Sequence, residues 1–423
     1  MKIAAVRVTP IAFRDPPLLN ASGVHEPFAL RTIIEVESDS GLIGLGETYG
    51  DRSTLEPLQR LSSQLRGFNP FDLHALEALV RNDCRQHARQ AGQLEIDLAP
   101  GTHASKAVAK VFSALEVAFL DLQARHLQIP LCELLGGAVR RAVPFSAYLF
   151  FKFEKHVDAP YESDPWGEVL TSDQLVQEAQ TMIATFGFES IKLKAGALDP
   201  DYEVQCLKAL KKAFPHHPLR IDPNANWTLD TSVRLAGLLK DDLEYYEDPT
   251  PGLQGMSRLH QATGLPLATN MVVTDWDEFR RSVALNAVQI VLSDHHYWGG
   301  LRATQALAKM CETFGLGLSM HSNSHLGISL MAMTHLAATV PQLGYACDTH
   351  YPWQQEEVVK GGKIAIRNGS VAIGDAPGLG LELDYTSLAS LHAQYQQCGT
   401  RDRDDAAEMR KHRPDWVKRK PRY

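Results

Sequence analysis

Apolar and polar residues alternate through the first fifty positions, as in Lys2-Ile3-Ala4-Ala5-Val6-Arg7-Val8 and Arg31-Thr32-Ile33-Ile34-Glu35-Val36-Glu37, with turn signals between them. Side chains that change face at every residue belong to half-buried strands, so this segment reads as an antiparallel meander. Between 54 and 136 the period becomes helical. There Val108, Val111, Phe112, Leu115, Ala118 and Phe119 make one apolar face, and Gly136-Gly137 ends the helical region. Strands followed by helices, without alternation of the two, describe a separate α+β unit of about 130 residues.

From about residue 143 short β-rich runs alternate with amphipathic helical stretches, the pattern of a parallel sheet covered by helices. The runs are Val143-Tyr148, Ser190-Lys194, Leu219-Asp222, Tyr245-Glu247, Leu267-Thr269, Ala287-Leu292 and Gly317-Met320, with an eighth expected near Gly344-Ala346. Eight such units in roughly 250 residues match a (β/α)8 barrel of the TIM type. The expected architecture is a barrel over 137–380 and an α+β capping domain over 1–136, which the tail from about 380 to 423 rejoins. The end of that tail, Arg401 to Tyr423, has mixed charge and reads as a solvated arm or as a lid over an anionic site.

With 423 residues, 44% of them hydrophobic and 22% charged, the chain is long enough for both units. Disordered, collagen-like and disulfide-stapled classes fall away. Fifty acidic against 42 basic side chains leave a net charge of −8, which argues against sequence-independent nucleic-acid binding. An anionic metabolite would have to meet local positive charge. The six cysteines, Cys84, Cys132, Cys206, Cys311, Cys347 and Cys398, form no Cys-x-x-Cys and read as reduced thiols of a cytoplasmic protein. Arg7 interrupts the amino-terminal run before a signal region develops, and no apolar run is long enough for a bilayer, so neither secretion nor membrane insertion is expected. Gly41-Leu42-Ile43-Gly44-Leu45-Gly46 lacks dinucleotide spacing and lies in the meander, where it reads as a hairpin.

Chemistry concentrates at the carboxyl ends of the barrel strands, where such folds build their sites. Lys192 and Lys194, Asp222, Glu247, Asn270, Asp294 and His321 occur in that order, and from Lys194 onward the intervals are 28, 25, 23, 24 and 27 residues. One module per interval puts all of them at the same height. Asp222, Glu247 and Asn270 are hard oxygen donors from three adjacent strands, suited to Mg²⁺ with positions left open for substrate and water. In Ile191-Lys192-Leu193-Lys194 the strand period puts both amines on one face, directed to the barrel mouth rather than to the covering helices. A lysine beside another cation and a metal has reason to shed its proton and act as a base, and either amine could instead serve a Schiff-base aldolase. Asp294 beside His321 would fix the imidazole tautomer and make a usable acid or base. For His295, His296 and His325, spacing does not separate a catalytic role from packing.

At these positions, along most of its length, the chain resembles the enolase superfamily and, within it, the glucarate dehydratase subgroup. The resemblance is carried by Lys192-x-Lys194, Asp222-Pro223-Asn224, Glu247-Asp248-Pro249, Ala268-Thr269-Asn270-Met271, His321-Ser322-Asn323 and Asp348-Thr349-His350. Asparagine at 270, where most related subgroups carry an acid, points to that subgroup. In the capping unit, Gly23-Val24-His25-Glu26-Pro27-Phe28 is similar to the loop that closes over substrate, and Ala147-Tyr148-Leu149-Phe150-Phe151 also matches. The resemblance implies Mg²⁺ on Asp222, Glu247 and Asn270, with Lys194 and His321/Asp294 as bases on opposite faces of the substrate. Lys192 and Asn224 would neutralise the oxyanion, and His25, Tyr148, Asn323, His350 and Arg403 would hold hydroxyls or the distal carboxylate. The implied reaction converts an acid sugar, D-glucarate or L-idarate, to 5-dehydro-4-deoxy-D-glucarate in an assembly of identical chains. Galactarate dehydration, epimerisation and a non-catalytic sugar-acid-binding homologue are the alternatives. Two departures are Glu26, where a small residue is usual, and a shortened stretch between Pro249 and Gly264.

Overall fold

A computed structural model describes residues 1–87 and 106–423, so the part of the expected helical region over 88–105 lies outside the described residues. The meander forms as expected. Strands β1 (Ile3–Arg14), β2 (Phe28–Ser38) and β3 (Ile43–Tyr49) pair antiparallel with β2 in the centre, and a short hairpin, Leu19–Asn20 with Gly23–Val24, lies between β1 and β2. Helices α1 (Arg52–Ser62), α2 (Leu73–His87) and α3 (Ala107–Leu127) follow. The α3 face of Val111, Leu115, Ala118 and Phe119 is fully buried against the sheet.

Two glycines let α3 and β3 approach so closely. A Cβ at Gly44 would stand 2.1 Å from the Ala118 carbonyl oxygen, and one at Gly46 would stand 2.7 Å from that of Ala114. The hairpin reading of 41–46 holds, and its glycines serve packing rather than a ligand. Gly44→Ala is expected to lower stability by about 1–3 kcal/mol, since the clash is with main chain that cannot rotate away. Urea unfolding measures it; an unchanged midpoint would contradict the packing account.

The barrel strands are β4 (Ala147–Phe150), β5 (Ile191–Lys194), β6 (Leu219–Asp222), β7 (Leu243–Glu247), β8 (Leu267–Thr269), β9 (Ile290–Ser293) and β10 (Gly317–Met320). They pair in parallel in chain order, each joined to the next through a helix. Alternation puts Lys192 and Lys194 inside and Ile191 and Leu193 under the helices, all buried. The expected eighth strand is not a regular one. Residues 343–348 close the gap through single bridges from Leu343 to Leu318 and from Cys347 to Phe145, with Asp348 N–H donating to the Met320 carbonyl at 2.9 Å. The segment reaches one neighbour at its start and the other at its end, and a short 3-10 turn, Tyr351–Trp353, follows in place of a covering helix.

The tail returns to the cap sheet. In the helix Tyr385–Cys398, Gln394 donates to the Ala12 carbonyl at 2.9 Å, and His392 Nδ1 lies 2.7 Å from that of Pro10. The last helix, Asp405–His412, buries Ala406 and Met409 and sits on the short hairpin. Gly23, at φ +142°, faces it, and a Cβ there would stand 2.1 Å from the Asp405 carbonyl oxygen. This part of the tail is packed structure, not a solvated arm. Among the described residues no helix is long and apolar enough to cross a membrane.

Candidate active site

Each strand from β5 to β10 ends on, or is followed by, one of the polar residues singled out above, and these residues face one interior. Lys192 Nζ is fully buried, 2.7 Å from Glu247 Oε1, 2.6 Å from Asp348 Oδ2 and 4.5 Å from the centre of the Tyr148 ring. Burial alone would favour its neutral form, but Asp348 and Glu247 outweigh burial and hold the amine well above its ordinary pKa. Lys194 differs: its ammonium touches one carboxylate, Asp222 Oδ2, at 2.7 Å. The two amines that the sequence presents as equivalent are thus separated into a locked cation and a freer group.

Burial works to raise Asp222 as well, yet Lys194 and Lys192 outweigh it and bring the carboxyl down to about 2. Glu247 is pushed well above the usual carboxylate range, by burial first and by Asp222 second. Its Oε1 accepts from Lys192 and from Asn270 Nδ2, the latter at 2.7 Å, while Oε2 is buried with no hydrogen-bond partner. A buried carboxylate oxygen without a donor, next to a second carboxylate and an amide, is what a hard divalent cation would satisfy. Asp222, Glu247 and Asn270 therefore fit such an ion.

Asp248 is a functional position that sequence reasoning missed. Its backbone has φ +36°, a strained value for aspartate, and its carboxylate accepts from Thr269 Oγ1 at 2.5 Å and Asn270 N–H at 2.8 Å. Asp248 thereby anchors the main chain at Asn270. Burial, and then Asp222, raise its pKa to about 7. Asn224, at φ +55°, donates its N–H to Asp222 Oδ1 at 2.9 Å and leaves its side-chain oxygen buried and unpartnered.

Across the interior, Asp294 serves two imidazoles. His296 Nδ1 lies 2.7 Å from Oδ1, and His321 Nδ1 lies 3.2 Å from Oδ2 and 3.0 Å from the Tyr297 hydroxyl. Because Arg31 Nη2 donates to His296 Nε2 at 3.1 Å, the His296 proton is on Nδ1, directed at Asp294. Both His321 contacts engage Nδ1, so Nε2 remains for a ligand. Burial would raise the Asp294 carboxyl, but His296 and His321 hold it well below its usual range. His296 is one of the histidines that spacing does not separate from packing, and Tyr297 is not singled out by the sequence. The helix Gly327–Ala338, which follows the His321 loop, is anchored at its start from the cap: Glu47 on β3 accepts from Leu326 N and Ser329 N, each at 2.8 Å, and from Arg31 Nε at 2.9 Å.

The expected substrate-binding residues lie above. His350 packs against Tyr148 at 4.8 Å and against His25 at 6.1 Å between ring centres. It is held well below the ordinary histidine pKa by burial first, and then by the positive charge of His25, His325, His321 and Lys194. His25 Nδ1 lies 2.9 Å from Asp15 Oδ2, and Ser324 Oγ donates to the same oxygen at 3.2 Å. Asn323 turns its own oxygen toward the Ser324 N–H at 2.9 Å. Arg403 spends Nε and Nη2 on Asp405, at 2.6 and 2.8 Å, and feels Asp15 and Glu26 as further negative neighbours. Asp15, which the sequence does not single out, is brought by the fold to His25 and Ser324, with Arg403 as a further positive neighbour.

Residues 3–136 match the model of the mandelate racemase / muconate lactonizing enzyme N-terminal domain, and residues 174–387 match that of the enolase C-terminal domain-like family. A Streptomyces coelicolor protein named "Probable glucarate dehydratase" is 49% identical over 421 residues, 99% of this chain and 97% of that protein. An enolase from Pseudomonas fluorescens, solved with bound magnesium, potassium and tartrate, is 66% identical with a TM-score of 0.98, covering 100% of this chain and 99% of the other. A Mycobacterium smegmatis enolase complexed with tartrate is 50% identical with a TM-score of 0.93, covering 100% and 98%.

Proposed function

The chain belongs to the enolase superfamily, and from that premise we propose that it catalyses the Mg²⁺-dependent dehydration of an aldarate, converting D-glucarate or L-idarate to 5-dehydro-4-deoxy-D-glucarate. What supports this reading is the placement of Lys194 at the end of β5 and of the Asp294–His321 pair after β9 and β10 of one parallel sheet, with Asp222, Glu247 and Asn270 at the ends of the strands between them. Tartrate, found in the relatives from P. fluorescens and M. smegmatis, is itself an aldaric acid and supports the substrate class.

Asp222, Glu247 and Asn270 would hold the ion, which when bound supplies Lewis acidity to the substrate carboxylate. Lys194 takes the proton from the carbon next to that carboxylate in one configuration, and His321 Nε2 takes it in the other. Lys192, kept cationic by Glu247 and Asp348, and the Asn224 amide offset charge developing on the carboxylate oxygens. Asp294 holds Nδ1–H of His321, and Nε2 carries a second proton, taken from the carbon or already bound when Lys194 is the base. Nε2 gives that proton to the departing β-hydroxyl, which leaves as water while the ring returns to its neutral form. The enol then tautomerises to the keto-deoxy acid, with no change of oxidation state in the enzyme. His25, Tyr148, Asn323, His350 and Arg403 would hold the remaining hydroxyls and the distal carboxylate.

The test is a panel of aldarates incubated with Mg²⁺-loaded protein and assayed for keto acid. Formation from glucarate or idarate is expected; interconversion without keto acid, or no turnover of any aldarate, would overturn the reading.

Glu26 adds a pH dependence to this site. Burial first, and Asp405 next, raise its pKa to about 7, against the Asp404 N–H and Arg403. Below that pH the side chain is neutral; above it, a new negative charge sits beside Arg403. The KM of a dianionic substrate should therefore rise as pH passes about 7, and Glu26→Gln should flatten that rise. Parallel pH profiles of KM in the two proteins would contradict the assignment.

A further inference from the structure

Away from the barrel mouth, the last helix and the loop after β4 bring together a second group of metal-competent side chains. Glu408 and His412 stand four residues apart on the helix Asp405–His412, so they share a face. His156 meets them from the loop, and one donor atom from each of the three lies within 4.8 Å of the others. His156 Nε2 lies 2.8 Å from the Asp15 carbonyl oxygen, which only accepts, so that nitrogen carries a proton. In a neutral ring Nδ1 then presents a lone pair, yet it faces Glu408 Oε1 at 3.2 Å, acceptor against acceptor. A positive species belongs between them. His412 Nε2 is also buried without a hydrogen-bond partner, its ring stacked on Phe153 at 4.2 Å between centroids.

We infer that His156, Glu408 and His412 bind a borderline transition-metal ion, with Zn²⁺ the best match, at a structural site separate from the strand-end carboxylates. Two imidazoles and a carboxylate form a Zn²⁺ donor set with a fourth position for water. Donors at about 2.0–2.1 Å around a tetrahedral ion stand roughly 3.4 Å apart. The His156–Glu408 pair is close to that spacing at 3.2 Å, and His412 needs a modest side-chain rotation to join it. Lys411 Nζ holds the other oxygen of Glu408 at 2.8 Å, leaving the carboxylate to bind through one oxygen. His156 also lines a cavity of about 220 Å³ beside Asp15 and Tyr161. Such an ion would fasten the last helix to the loop after β4, over the hairpin that precedes His25.

The protein is stripped by chelation, resaturated with Mg²⁺ and titrated with ZnCl2 in a calorimeter. The wild type should bind one more equivalent of Zn²⁺ than His412→Phe, or bind it at least about tenfold more tightly. Phenylalanine keeps the stack on Phe153 and so separates ligand loss from a packing defect. Glu408→Gln should weaken binding likewise, and Co²⁺ should give visible ligand-field bands in the wild type that are missing from His412→Phe. Equal Zn²⁺ binding in all three proteins, or none in the wild type beyond the strand-end site, would overturn the inference and make the positive species a proton on His156.

Discussion

Lys194→Ala is expected to lower kcat by about two to four orders of magnitude, the usual worth of a positioned acid or base, with a much smaller change in KM. The geometry sharpens this expectation. Lys192 is pinned between Glu247 and Asp348, so it has no freedom to replace the missing amine. His321→Asn should cost a similar factor, because asparagine offers no group that cycles a proton at Nε2. The two losses differ in kind. In deuterated buffer, Lys194→Ala should retain exchange at the α-carbon of the configuration served by His321, whereas His321→Asn should retain exchange at the other without releasing water. Near-normal dehydration of every aldarate by either variant would remove the proposed role of that residue.

Thorough chelation should reduce turnover to background, and Mg²⁺ should restore it. The physical reason is the state of the carboxylates. Glu247 is buried, lies close to Asp222 and has one oxygen with no donor, so without a divalent charge it is poorly suited to remain ionised. Glu247→Gln removes that ionised ligand while keeping its size, and should leave a folded protein that added Mg²⁺ does not rescue. Full activity after exhaustive metal removal would contradict the ligand assignment, as would a Glu247→Gln protein that works normally.

Much of the barrel could be read from the chain because each strand is short, flanked by turn residues and followed by one polar side chain per module. That regularity is why Lys194, Asp222, Glu247, Asn270, Asp294 and His321 could be picked out before any coordinates. The closing segment is expected near Gly344-Ala346 and lies there, but its irregular form was not legible, because 343–348 makes only single bridges to its neighbours. Asp15, Glu47, Arg31 and Tyr297 escaped for a different reason. Their partners lie far away in the sequence, as with Arg31 and His296 or Tyr297 and His321, and no local period encodes such pairings. Asp248 was visible within Glu247-Asp248-Pro249, but its anchoring of the main chain at Asn270 depends on two hydrogen bonds from the end of the next strand. The difference between the two lysines likewise required Asp348, which arrives from the closing segment.

Glu47 carries a lesson for anyone recombining these modules. Its carboxylate belongs to the amino-terminal unit, yet it gathers two main-chain donors at the start of the helix Gly327–Ala338, which follows the His321 loop, together with the guanidinium of Arg31. A chimaera that grafts a foreign cap onto this barrel would therefore inherit a loose imidazole unless the donor cap brings an acid to the same spot. Portability of the two halves is limited by a single side chain, and libraries built by swapping them should be screened for that residue first.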